Sequence, residues 1–119
     1  MGNFRKLHVW QLAKELAVRI YKITGDSPLT KDFGLRDQIQ RAAVSIPSNI
    51  GEGDESGTNK VSIRYFYTAK GSIAELQTQI IIAHEIGYIE SQMMESLINE
   101  CDKISSMLNK IIKARSIKK

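Results

Sequence analysis

The sequence predicts an all-α protein, an antiparallel up-down four-helix bundle whose second helix is kinked at Pro47. Three observations carry this. Four segments place apolar residues at helical spacing, the connections between them are short, and no segment alternates apolar and polar residues as a strand would. The 119 residues fit one domain spanning 1–119, large enough to bury a core without metal or disulfide support.

In the first segment Trp10, Ala13, Leu16, Ala17, Ile20 and Ile23 form the apolar stripe, with Gln11, Glu15, Arg19 and Lys22 opposite. Gly25 stops it and Asp26-Ser27-Pro28 continue as a turn. The second runs from about Leu35 through Ile39, Ala42, Ala43, Ile46 and Ile50. Pro47 removes a backbone donor and crowds the carbonyl of Ala43, so this helix is expected to kink or end there. Residues 51–57, glycine-rich and acidic, read as a loop. The third helix should start near Thr58 or Asn59. Phe66, Ile73, Ile80 and Gly87 fall seven apart, as do Ala69, Leu76 and Ala83. Gly87 supplies a left-handed stop, with Tyr88 and Ile89 as its hydrophobic clasp. The fourth repeats the pattern with Met94, Leu97, Cys101, Ile104, Leu108 and Ile111, then frays into a short basic tail from about residue 114.

Charge is unevenly spread over a chain of net +4. Residues 71–102 hold 6 acidic side chains and no basic one, whereas residues 103–119 hold 6 basic and no acidic one. Two readings of these blocks stand side by side: helix ends matched to the macrodipole, or a basic tail that touches phosphates. The cations nominated for nucleic acid are Arg19, Lys22, Arg36, Arg41, Lys110, Lys113 and Arg115. A wider basic set adds Arg5, Lys6, Lys14, Lys60, Arg64, Lys118 and Lys119. Val18, Ile63, Tyr67, Ile81, Ile82, Ile98, Met107 and Ile112 lie outside the main seams and suggest self-association.

No catalytic constellation is present in the sequence. Two histidines and one cysteine cannot build a zinc site of common spacing, and no Glu-x-x-His pair offers a bridged-metal centre. His84 lacks a third group to orient it, and Cys101 on a core seam reads as a small hydrophobe. We therefore expect no enzyme, no cofactor and no metal. No apolar run spans a membrane, the N-terminus has no signal-peptide core, and a lone cysteine suits a reducing cytoplasm.

The most distinctive stretch is residues 34–53, GLRDQIQRAAVSIPSNIGEG. It resembles the signature of the four-helix-bundle proteins encoded in 23S rRNA intervening sequences, a family related to the accessory variability determinant proteins of diversity-generating retroelements. Val9-Trp10-Gln11, Gly71-Ser72-Ile73-Ala74-Glu75-Leu76 and Gly87-Tyr88-Ile89 extend the likeness over nearly the whole chain. Three positions depart from the family's pattern: Ser27 replaces an aromatic, Lys31 a glutamate and Gly51 an alanine. The resemblance implies a ring-like homo-pentamer. For the retroelement relatives it implies nucleic-acid and reverse-transcriptase binding through a basic surface. The alternative is a protein-binding adaptor or scaffold with no nucleic-acid contact.

Within the signature, Gln38, Arg41, Ser45, Pro47, Asn49 and Glu52 form a structural motif. Ser45 is expected to bond back toward the carbonyl of Arg41. Asn49 is expected to serve backbone groups that Pro47 leaves unpaired. Gln38 and Arg41 share a face, and Glu52 is expected to pair with Arg41 across the break.

Overall fold

The computed structural model describes residues 3–117. The parts of the expected N-terminus and basic tail that fall on Met1, Gly2, Lys118 and Lys119 lie outside the described residues. A 3-10 turn over Phe4–Lys6 precedes α1, His8–Thr24. A second turn, Pro28–Thr30, leads to α2, Phe33–Glu55, followed by α3, Asn59–Glu85, and α4, Ser91–Ile117. Consecutive helices pack side by side in alternating direction, and α4 closes on α1. The body measures 48 × 21 × 19 Å, the length of its two 27-residue helices plus their turns.

The apolar stripes meet in one core. Leu16 and Ile20 of α1, Ile46 and Ile50 of α2, Phe66, Ile73, Leu76 and Ile80 of α3, and Leu97, Ile104 and Leu108 of α4 are almost fully shielded from solvent. Each such side chain contributes about 1.5–3 kcal/mol relative to exposure. Leu29, in the second 3-10 turn, plugs one end.

Side chains define the helix starts. Ser27 accepts from Leu29 N, Asp32 from Leu35 N at 3.1 Å and Thr58 from Val61 N at 3.2 Å. The expected third-helix start and stop both hold. Gly87 has φ +89°, Tyr88 N donates to Ala83 O at 2.8 Å and Gly87 N to His84 O at 2.9 Å. That pair of bonds is a Schellman ending, with Tyr88 and Ile89 packed on the core. Gly25 closes α1 in the right-handed region, at φ −83°.

Four expectations change. α2 begins at Phe33, two residues before Leu35, because Asp32 caps it. Pro47 does not end α2, which continues to Glu55, and the kink in the chain path falls near Pro28, before α2. Residues 51–55 are helix rather than loop, so Ser56–Thr58 alone connect α2 to α3. Gly51, Gly53 and Asp54 are buried there, which explains why a stretch polar in composition stays helical. Finally, α4 runs past Ala114 to Ile117, anchored by Arg115. Among the supernumerary apolar residues, Ile112 belongs to the core, and Ile63, Ile98 and Met107 lean against it. Val18, Tyr67, Ile81 and Ile82 are exposed as expected.

Candidate nucleic-acid interface

Helix direction sorts the cations into two ends. At the first end the N-terminal turn, the end of α2, the start of α3 and the end of α4 come together: Phe4 lies beside Gly51, and Arg115 reaches Asp54 and Ser62. Arg5, Lys6, Lys60, Arg64, Lys110 and Lys113 are exposed in this region, against the exposed carboxylates of Glu52 and Glu55. At the opposite end, Lys22, Lys31 and Arg36 share the surface with Asp26, Asp32, Asp37, Glu85 and Glu90. Among the described residues, positive charge therefore accumulates at the first end.

The nominated residues divide accordingly. Lys110 and Lys113 are exposed at the basic end, and Lys22 is exposed at the mixed end. Arg36 stacks on Phe33 with 4.8 Å to the ring centroid and bonds to Asp37 and the carbonyl of Thr30. Arg41 is exposed midway along α2, beside Tyr21, Asp37, Gln40 and Val44. Arg19 pairs with Glu100 and donates to Ser96 Oγ at 3.0 Å, tying α1 to α4.

Arg115 is a lock rather than a tail cation. It donates to Asp54 Oδ1 at 2.8 Å and to Ser62 Oγ at 3.1 Å, with its guanidinium over the Phe66 ring at 5.0 Å. Asp54 was hidden within an apparent loop. The signal was its position four residues after Ile50, on the buried stripe.

The signature residues form a junction between α2 and α3. Ser45 Oγ bonds Ser72 Oγ at 2.8 Å instead of turning back toward Arg41, because α3 approaches closely enough to offer a hydroxyl. Asn49 Nδ2 donates to the carbonyl of Ser45 at 2.8 Å and to its Oγ at 3.0 Å, two residues beyond the Ala43 carbonyl that Pro47 leaves without a helical donor. Pro47 is buried, and its ring shares a shallow cleft with Phe4 and Trp10. Gln38 is exposed. Glu52 does not reach Arg41: eleven residues of unbroken helix separate them by about 16 Å.

The groups weighed for catalysis hold turns or sit in the core. His84 Nδ1 donates to the carbonyl of Ile89 at 2.9 Å and fastens the α3–α4 turn. The Tyr88 hydroxyl donates to Asp32 Oδ2 at 2.9 Å, and this bond raises the phenol above its ordinary range. Among the described residues, no three His, Cys, Asp or Glu side chains are grouped to hold a metal ion, and no helix is long and apolar enough to cross a membrane. Burial pushes the Cys101 thiol up to about 12, helped by Asp102 and Glu100. Native Cys101 is therefore expected to resist a disulfide-exchange reagent at pH 8 and to react fully once urea unfolds the chain. Labelling of the folded protein within minutes would contradict this burial.

The family description "23S rRNA-intervening sequence protein" matches residues 5–110. The chain belongs to this family. A solved structure from Bacteroides thetaiotaomicron, a protein of unknown function from the S23 ribosomal protein family, is 28% identical, with a TM-score of 0.80. The match covers 88% of this chain and 98% of that one. No curated protein matches the chain. Membership in the intervening-sequence family goes with a non-catalytic protein, in keeping with the turn-holding and core roles of His84 and Cys101.

Proposed function

We propose that this intervening-sequence family member is a non-enzymatic, cytoplasmic homo-oligomer that holds RNA or DNA by its phosphates at the basic end. The observation that supports this reading is the gathering of Arg5, Lys6, Lys60, Arg64, Lys110 and Lys113 where three helix ends and the N-terminal turn meet. One subunit carries only +4. Assembly into a ring, a pentamer by family resemblance, repeats that excess and focuses the field on one rim. Nothing in the bundle resembles a base-reading module, so contacts are to phosphate and carry little sequence preference. A reverse transcriptase or another protein partner would use other surfaces.

Fluorescence anisotropy with single- and double-stranded RNA and DNA tests the reading. Affinity should fall steeply with salt, through counterion release. Lys110→Glu with Lys113→Glu should weaken binding at least tenfold at low salt while helicity is retained. Arg115 is left intact because it holds the fold. Absence of binding at low salt to every probe would replace this function by that of a protein-binding adaptor.

A further inference from the structure

We infer that copies of this chain join head to tail, an apolar basic patch on α1 and α2 of one copy seating on an apolar acidic patch on α3 of the next. The inference rests on the homo-oligomer reading above and assigns its surfaces.

The first patch is built on two helices. Lys14, Val18 and Lys22 follow one another at four-residue spacing along an exposed row of α1, and Tyr21 stands beside Val18. Across the α1–α2 groove, Tyr21 shares a shallow depression with Val44 and Arg41 of α2. Val18, Tyr21 and Val44 are 47%, 48% and 41% exposed, a large fraction for apolar side chains that adjoin one another. Lys14, Lys22 and Arg41 flank them, all exposed; of the two exposed carboxylates nearby, Glu15 and Asp37, the latter is already paired with Arg36.

The second patch lies in the C-terminal half of α3. Ile81, Ile82 and Ile86 are 41%, 45% and 53% exposed and share one side of the helix with Thr78. Glu75 and Glu85 flank them, both exposed, and no basic residue occurs anywhere between positions 71 and 102. Each patch thus has an apolar centre; the first rim is cationic in balance, with Lys14, Lys22 and Arg41 outnumbering Glu15 and Asp37, and the second is acidic throughout.

That complementarity selects the occupant. Patch against its own kind would oppose like charges, which disfavours a two-fold contact. Patch one against patch two pairs cation with carboxylate around a joint apolar centre. The patches occupy different sides of the bundle, since α1 and α3 sit diagonally with α2 and α4 between them. A contact between different surfaces leaves one of each free at every step, so it propagates until a ring closes.

Size-exclusion chromatography with light scattering, run on the full chain, tests this with two variants. Lys22→Glu with Arg41→Glu makes both patches acidic, and Glu75→Lys with Glu85→Lys makes both basic. All four positions are exposed, so circular dichroism should stay helical. Each variant alone should fall toward the 13.4 kDa monomer. Mixing the two should restore a high-mass species that contains both. A wild-type oligomer whose mass neither variant changes would overturn these surfaces while leaving the oligomer reading intact. A monomeric wild type at micromolar concentration would overturn both.

Discussion

Arg115→Ala is expected to lower folding stability by about 3–4 kcal/mol, more than Asp54→Ala, although both break the same ion pair. The asymmetry follows from burial. The Asp54 side chain is 4% exposed and the Arg115 side chain 24%. Removing the guanidinium strands a carboxylate that cannot reach water, and one of its oxygens, Oδ2, already lacks a hydrogen-bond partner. Removing the carboxylate instead leaves a guanidinium in the last turns of α4, free to swing into solvent, at a cost of about 1–2 kcal/mol. Urea unfolding at fixed protein concentration reads both values. The double variant should cost less than the two single costs combined, because the residues share one interaction. Equal losses from the two single variants would refute the desolvation argument.

The same pair marks the boundary of what the sequence discloses. The four helices, the Thr58 cap and the Gly87 stop are legible because each rests on local chemistry: spacing, a hydroxyl before a helix, a glycine at positive φ. Residues 51–55 are not, since their helicity depends on partners far along the chain. Phe4 covers Gly51, Phe66 abuts Gly53, and Arg115 neutralises Asp54. Composition alone gives glycine and acid, which describe a loop equally well.

The candidate site divides along the same line. Lys110 and Lys113 needed only a helical face to be exposed, and they are. Arg19 and Arg115 read in the sequence as available cations, but each meets a carboxylate more than 60 positions away, a pairing that tertiary packing alone creates. Ser45 likewise finds Ser72, 27 positions on, in preference to its own helix. Charge count is readable from sequence; charge availability is a property of the fold.

Two glycines in one helix turn should respond oppositely to the same substitution. Gly51→Ala is expected to stabilise the protein by about 1 kcal/mol, by removing the backbone freedom that glycine brings to the unfolded chain. Its added Cβ would lie 3.5 Å from the Phe4 ring, an ordinary contact that also buries apolar area. Gly53→Ala gains the same conformational term but meets a wall. There the Cβ would stand 2.8 Å from Phe66 Cε1 and 3.0 Å from Tyr65 Cβ. Phe66 is wholly enclosed, and Tyr65 Cβ moves only with the α3 backbone. Relief therefore requires α2 and α3 to separate, which strains the bonds from Ser56 and Ser62 to the Gly53 carbonyl. Overpacking of this kind costs about 1–3 kcal/mol, and larger side chains at the position should cost more. Thermal unfolding of the two variants beside wild type decides it: Gly51→Ala should melt higher and Gly53→Ala lower. If both melt higher, the α2–α3 contact is looser than these distances describe, and Gly53 is not what lets the helices approach.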